Sequence, residues 1–180
     1  MDEQIFQGFP KIARYSRQVI VTEKIDGTNA QIFITEDLQV LAGSRTRWIT
    51  PENDNFGFAR WVCEHEDELR ALGPGRHFGE WWGQGIQRAY GLKEKRFSLF
   101  NVDQWGDAAV RPPCCHVVPE LWRGSFEYLD VDYVMRCLYV DGSAAVPGFM
   151  RPEGIIIYHT HGNLAFKKTF EKDAAGKERS

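Results

Sequence analysis

The chain has 180 residues, 43% of them hydrophobic and 13% aromatic, with 12 Phe, 6 Trp and 6 Tyr, which suits one domain with a packed core. No run approaches the ~20 apolar residues that span a bilayer, and the first ten residues carry Asp2 and Glu3 without an apolar stretch, so neither a membrane segment nor a secretory leader is expected and a cytoplasmic address follows. A net charge of −3 argues against nucleic-acid affinity spread over the whole surface, although a local basic groove remains open: Arg14, Arg17, Arg45, Arg47, Arg88, Lys93, Lys95 and Arg96 fall near the segments of interest.

Residues 1–18 read as an irregular lead-in. Val19-Ile20-Val21 and Ile32-Phe33-Ile34 are apolar runs, predicting strands over 19–22 and 30–35 that pair around Glu23-Lys-Ile-Asp-Gly-Thr-Asn29. Lys24 then sits in a turn between two buried strands. That is an unusual place for an ammonium group unless it is used, and a lysine relieved of its proton is a nucleophile. Residues 38–44 predict a further strand that delivers Ser44-Arg45-Thr46-Arg47, and Thr50-Pro51-Glu52 marks a loop. A helix is expected over 55–71, with Phe58, Val62 and Leu69 inward, ended by Gly73-Pro74-Gly75. Strands follow at 76–82 and 96–103, and a short one at 116–118. A helix is predicted over 130–139, N-capped by Asp130 with Val134, Met135 and Leu138 inward. Gly154–Tyr158 and Leu164–Lys167 close the series as strands. Many strands with two helices imply an α+β fold with antiparallel sheets.

The four cysteines, Cys63, Cys114, Cys115 and Cys137, show no Cys-x-x-Cys spacing; Cys114-Cys115-His116 is read as structural, and reduced thiols fit a cytosolic address.

The chemistry-bearing segments come in a fixed order. After Lys24-Ile-Asp-Gly27 come Ser44-Arg45-Thr46-Arg47, Phe78-Gly79-Glu80-Trp81-Trp82-Gly83, Phe97-Ser98-Leu99-Phe100, Pro152-Glu153-Gly154-Ile155 and Phe166-Lys167-Lys168-Thr169. Lys-x-Asp-Gly resembles the first motif of the covalent nucleotidyltransferases, which include polynucleotide ligases and mRNA capping enzymes. The six segments together resemble the ATP-dependent RNA ligases, of the kind of the second phage RNA ligase and the trypanosome editing ligases, from about Phe9 to Asp173.

The resemblance implies an ATP-grasp-like ligase nucleotidyltransferase domain over 1–180, with a polar tail at about 174–180. Twelve residues follow Lys168, which predicts no appended OB-fold and leaves room for a protein partner in its stead. It implies ATP as the nucleotide, Mg²⁺ or Mn²⁺ as the metal, and RNA or a nicked RNA-containing duplex with 5′-phosphate and 3′-hydroxyl ends as the substrate. Lys24 would carry AMP covalently, transfer it to the 5′-phosphate, and release it when the 3′-hydroxyl attacks. Glu23 would lie beside the adenine, Asp26 would orient the lysine or reach a metal through water, and Gly27 would complete the nucleotide-binding motif. Arg45 would bind phosphate with its guanidinium fork, Arg47 competing for that role. Glu80 would accept from the ribose hydroxyls and Phe97 would stack on adenine, a core phenylalanine being the rival reading, with Phe100 then the core member of the pair. Glu153 would hold the metal. Lys167 and Lys168 match the last lysine motif, usually Lys-x-Lys; adjacent in a strand they point to opposite faces, so Lys167 is placed first and Lys168 second. Arg88, in the loop 84–88, would contact nucleic acid. A binding domain without turnover, a capping-type enzyme using GTP, and an enzyme that adenylylates a protein or small molecule are the other readings.

Overall fold

The computed structural model describes residues 8–171; the expected polar tail, with Lys172, Lys177 and Arg179, lies outside them. The described chain is α+β. Strands β1 (Gln18–Lys24), β2 (Thr28–Ile34), β3 (Val40–Ser44) and β4 (Trp48–Ile49) are followed by helices α1 (Phe58–Glu64) and α2 (Glu66–Leu69). Then come β5 (Gly75–Gly83), β6 (Lys95–Leu99), α3 (Val102–Trp105), β7 (Cys115–Val117) and β8 (Glu120–Ser125). Helix α4 (Val131–Asp141) precedes β9 (Gly154–His159) and β10 (Leu164–Thr169).

The strands form two sheets, one of four strands in the order β10-β9-β1-β8 and one of six in the order β4-β3-β2-β5-β6-β7. All pairings are antiparallel except β6 with β7. The two strands around Lys24 therefore do not pair with each other, contrary to the sequence expectation. Val19, Ile20 and Val21 are all buried, which makes β1 an inner strand with both edges taken, by β8 and β9. The chain crosses between the sheets at 25–27, and Gly27 permits the crossing: a Cβ there would lie 2.5 Å from the Trp81 carbonyl oxygen and 2.7 Å from Trp82 Cβ.

Three apolar clusters result. One joins the larger sheet to α1 and α2 through Ile32, Ile34, Phe58, Val62, Leu69 and Trp81. A second joins the smaller sheet to α4 through Val19, Val21, Val134, Met135, Leu138 and Ile155. The third, Ile25, Trp82, Tyr90 and Val118, fills the seam beside Lys24.

The expected helix over 55–71 begins three residues later and breaks at His65. Its start is held by Asp54, whose carboxylate accepts from the amides of Ala59 at 2.8 Å and Arg60 at 3.2 Å. The strand expected over 96–103 stops at Leu99, because the Asn101 side chain accepts from the Gln104 amide and turns the chain into α3. Asp130 caps α4 as expected, accepting from the Tyr133 amide at 2.9 Å. Strand β8 was not anticipated: Pro119 and the charged Glu120 and Arg123 hid a strand that only its pairing with β1 reveals. Among the described residues no helix is long and apolar enough to cross a membrane.

Candidate active site

Lys24 is the last residue of β1 and pairs across the ladder with Gly154, so Glu153 arrives beside it. Lys24 Nζ donates to Glu153 Oε2 at 2.6 Å, with the two side chains 23% and 13% exposed. Register then sorts the neighbours. Thr22, Ile156 and Lys167 lie opposite one another on three adjacent strands, and Thr22 shares Lys24's face by the two-residue period. Lys167 therefore stands on the Lys24 face.

Lys168 lies opposite Ile155, which lies opposite Glu23, on the face that packs against α4. Its Nζ donates to Asp132 Oδ1 at 2.7 Å, and so the catalytic role weighed for Lys168 is corrected: it ties the sheet to α4. Glu23, on that same face, is buried and accepts from the Ala145 amide at 3.0 Å. Burial raises its carboxyl above the ordinary range, against the pull of Ser143 and the amides of 144 and 145. It lies on the opposite face of β1 from Lys24.

Glu80 is only 7% exposed and its Oε2 accepts from Asn29 Nδ2 at 3.2 Å. Burial pushes its carboxyl up to about 7. Lys24 and the Gly27 amide pull it down, while Glu153 and Asp26 push it further up. One lysine thus faces three carboxylates from two sheets.

The segment after Lys24 is pinned by residues whose part there sequence reasoning missed. The Asp26 amide donates to Tyr90 Oη at 2.8 Å, and Asp26 Oδ2 accepts from Arg88 Nε at 2.9 Å. Arg88 also donates to the Arg151 carbonyl at 3.2 Å and to Glu171 at 2.8 Å. All three of its guanidinium nitrogens donate within the protein, which makes Arg88 a brace for the Lys24 loop, and no contact among the described residues speaks to the nucleic-acid role expected of it. Tyr90 is buried, and burial raises its phenol, which stays protonated. The backbone signal for this loop is conformational: Gln87, Ala89 and Tyr90 all have positive φ. No pattern in Gln84–Tyr90 announces that before the loop is built.

Arg45 and Arg47 are exposed between β3 and β4. Arg47 Nη1 donates to the Asn53 carbonyl at 3.3 Å, while Arg45 follows Ser44, the last residue of β3, in the turn closed by the Ser44 amide donating to the Arg47 carbonyl. Phe97 is corrected. It is fully buried with its ring 5.1 Å from that of Phe58, under α1, and has no face to offer a base. The Glu80 face of β6 presents Ser98 instead, and Phe100, expected in the core, is 41% exposed.

Among the described residues no group of three His, Cys, Asp or Glu is placed to hold a metal. Glu153 offers the carboxylate oxygen that touches Lys24 Nζ. That suits a hard ion such as Mg²⁺ or Mn²⁺, which keeps waters and takes phosphate oxygens for most of its ligands, and it does not suit a protein-caged ion. Cys114 and Cys115 stand with their sulfurs 4.0 Å apart, away from this site.

The architecture has close counterparts. It superposes on the Naegleria gruberi RNA ligase, in a mutant with ATP and Mn, with a TM-score of 0.62 at 20% identity over 87% of this chain and 51% of that one. The same ligase with PPi gives a TM-score of 0.62 at 21% identity over 86% and 50%. A further mutant of it, with AMP and Mn, gives 0.59 at 20% identity over 86% and 50%. The chain thus spans about half the length of these proteins and shares the fold of the half it matches. The family model described as RNA ligase matches residues 17–173, nearly all of the chain, and the protein belongs to the RNA ligase family.

Proposed function

We propose that the chain is an ATP-dependent RNA ligase-type nucleotidyltransferase that forms a lysyl-AMP on Lys24. The observation that carries this reading is the Lys24–Glu153 pair, with Lys167 on the same sheet face and Glu80 facing it from the other sheet.

In the first step the Lys24 ammonium loses one proton to become an amine, Nζ then forms a bond to the α-phosphorus of ATP as the bond to pyrophosphate breaks, and Nζ gives up a second proton, both passing to water. Glu153 Oε2, at 2.6 Å, holds Nζ in a fixed direction. Lys167 and Arg45 supply positive charge where the phosphate oxygens gain negative charge. Glu80, held down by Asn29, accepts from ribose hydroxyls, and its elevated pKa lets the site bind ATP without a fully charged carboxylate beneath it. Glu153 would hold a divalent cation, which would supply neutralisation of the phosphate charge. AMP then passes to an RNA 5′-phosphate, and a 3′-hydroxyl displaces it to join the ends. The Arg88–Asp26 and Tyr90–Asp26 contacts keep the loop after Lys24 in place throughout.

The test is incubation with ATP labelled at its α-phosphate, with Mg²⁺ or Mn²⁺, after pyrophosphate has stripped any AMP already attached. A label on the denatured protein is expected, absent in Lys24→Ala, absent with GTP and lost in chelator. A folded wild type that takes no label from ATP refutes the reading, and equal label from GTP moves it to capping-type chemistry.

A further inference from the structure

The larger sheet has one face closed by α1 and α2, and the other runs outward from the site. Along β5 that open face carries Glu80, then Phe78, then Arg76, at steps of about 7 Å. Across from them on β2 stand Asn29, Gln31 and Phe33. Trp48 joins through its partner Gly43, whose missing side chain makes room for Gln31. Phe100 stands beside Phe78, its amide donating to the Phe78 carbonyl. Phe78, Trp48 and Phe100 are 52%, 47% and 41% exposed.

Scattered exposed rings are ordinary on a protein surface. These fall in two neighbouring pairs on one sheet face, Phe33 with Trp48 at 5.9 Å between ring centres and Phe78 with Phe100 on adjacent strands, with Gln31 and Arg76 between them, and the strip begins two residues from Glu80. A guanidinium is already laid on it: Arg76 sits 4.7 Å from the Phe33 ring centre and 5.3 Å from that of Trp48, with Nη1 donating to Gln31 at 3.0 Å. At the end of the strip a cavity of about 150 Å³ is lined by Arg76, Phe78 and Phe100 together with His77, Leu99 and Trp105 from the helix-packed side, and by Asn101 and Gln104.

We propose that this strip binds the single-stranded RNA that runs into the ligation site. Ring faces on neighbouring strands of an open sheet are what unpaired bases stack on, and planar guanidinium adds stacking and a phosphate contact at once. The amides of Gln31 and Asn101 bond Arg76, the Ser44 carbonyl and Gln104, and so fix the borders of the strip. Arg76 lays positive charge on the rings, and exposed Arg45 adds more in the turn after β3, which suits a strand of phosphates in a chain whose net charge is negative. A path that starts at Glu80 leads the strand directly toward Lys24. The identity of the strand rests on the ligase reading; the binding surface itself does not.

The experiment measures binding of a short fluorescent single-stranded RNA by anisotropy, using the full chain carrying Lys24→Ala so that no turnover intervenes. Phe78→Ala/Phe100→Ala and Arg76→Ala are added to it, with Tyr139→Ala on α4 as a control, and near-ultraviolet circular dichroism confirms the fold of each. Loss of at least about tenfold in affinity is expected for the double change, since each lost stack costs a similar factor, with Arg76→Ala also weaker and less salt-dependent and Tyr139→Ala equal to its parent. Ultraviolet cross-linking is expected to mark peptides holding Phe78 or Trp48. Equal RNA affinity in the double variant, or cross-links confined elsewhere, overturns the proposal. So does a double variant that changes self-association or protein binding while RNA affinity stays the same. If wild type takes no label from ATP yet the double variant loses RNA affinity, the strip stands and the ligase reading falls.

Discussion

The two sheets use their faces in different ways. The four-stranded sheet packs one face on α4 and turns the other toward the site, where Lys24, Thr22 and Lys167 stand in register. Its two faces thus separate structure from chemistry strand by strand. The six-stranded sheet buries one face under α1 and α2, and its other face is divided: Glu80 and Ser98 are buried at the seam, while Phe78, Phe100 and Trp48 remain exposed. The difference teaches that charge is concentrated where the sheets meet and aromatic surface where the larger sheet runs past that meeting. A nucleophile needs oriented charged groups in a restricted space. A single strand of RNA needs length and open ring faces.

The comparison breaks most readily at the two phenylalanines of β6 and its end. Phe97→Ala empties a buried site and is expected to cost about 3–5 kcal/mol in urea unfolding, whereas Phe100→Ala, at the surface, stays within about 0.5 kcal/mol. Equal losses would mean that the faces of the larger sheet have been assigned the wrong way round.

The smaller sheet gives the next test. Lys167→Ala is expected to slow lysyl-AMP formation by about 10²–10³, the loss typical of one group that stabilises developing charge. Lys168→Ala removes an exposed ion pair with Asp132 and is expected to cost less than about 1 kcal/mol of stability, with the labelling rate retained. A rate that falls with Lys168 and not with Lys167 contradicts the register argument.

Glu80 sharpens the seam itself. Its carboxyl rises from an ordinary 4.5 to about 7 on folding. Below that window it is protonated in both states and costs nothing. As pH rises through the window the unfolded chain ionises first, so stability falls, by about 3 kcal/mol in all, and is level above it. Glu80→Gln is expected to flatten that fall while weakening ATP binding, read from urea midpoints below and above the window and from nucleotide titration. A fall that persists unchanged in Glu80→Gln assigns it to another group.

The smallest effect concerns the brace. Arg88→Ala leaves Asp26 without its partner and is expected to lower the labelling rate by about tenfold, the worth of a charged hydrogen bond. Arg88→Lys is not expected to restore it, because a point charge cannot reach Asp26, the Arg151 carbonyl and Glu171 together. Full rescue by lysine would show that charge alone holds the loop.

Much of this was legible in the chain. Alternation and apolar runs placed eight strands near their observed positions, Asp130 announced α4, and Glu23-Lys-Ile-Asp-Gly placed Lys24 at a strand end. Glu80 stood out as a carboxylate set between aromatic residues. The helix over 55–71 was visible as an amphipathic pattern, but its break at His65 was not. Strand β8 was hidden because a strand held by pairing with β1 needs little apolar pattern of its own. Phe97 and Phe100 differ by three positions in an alternating segment, so they lie on opposite faces; which face was core depended on where α1 docked.

What the sequence by itself determined was local: the strands, the capped helix, the lysine at a strand end, and the opposition of Lys167 to Lys168. These follow from the two-residue period of a strand and from side chains that bond their own backbone. Only the tertiary structure decided that β1 and β2 part into different sheets, that Glu153 meets Lys24, that Lys168 belongs to α4, and that Arg88 faces inward. Each depends on which strand lies beside which, and that is set by the burial of whole faces and by the room Gly27 leaves for the chain to cross.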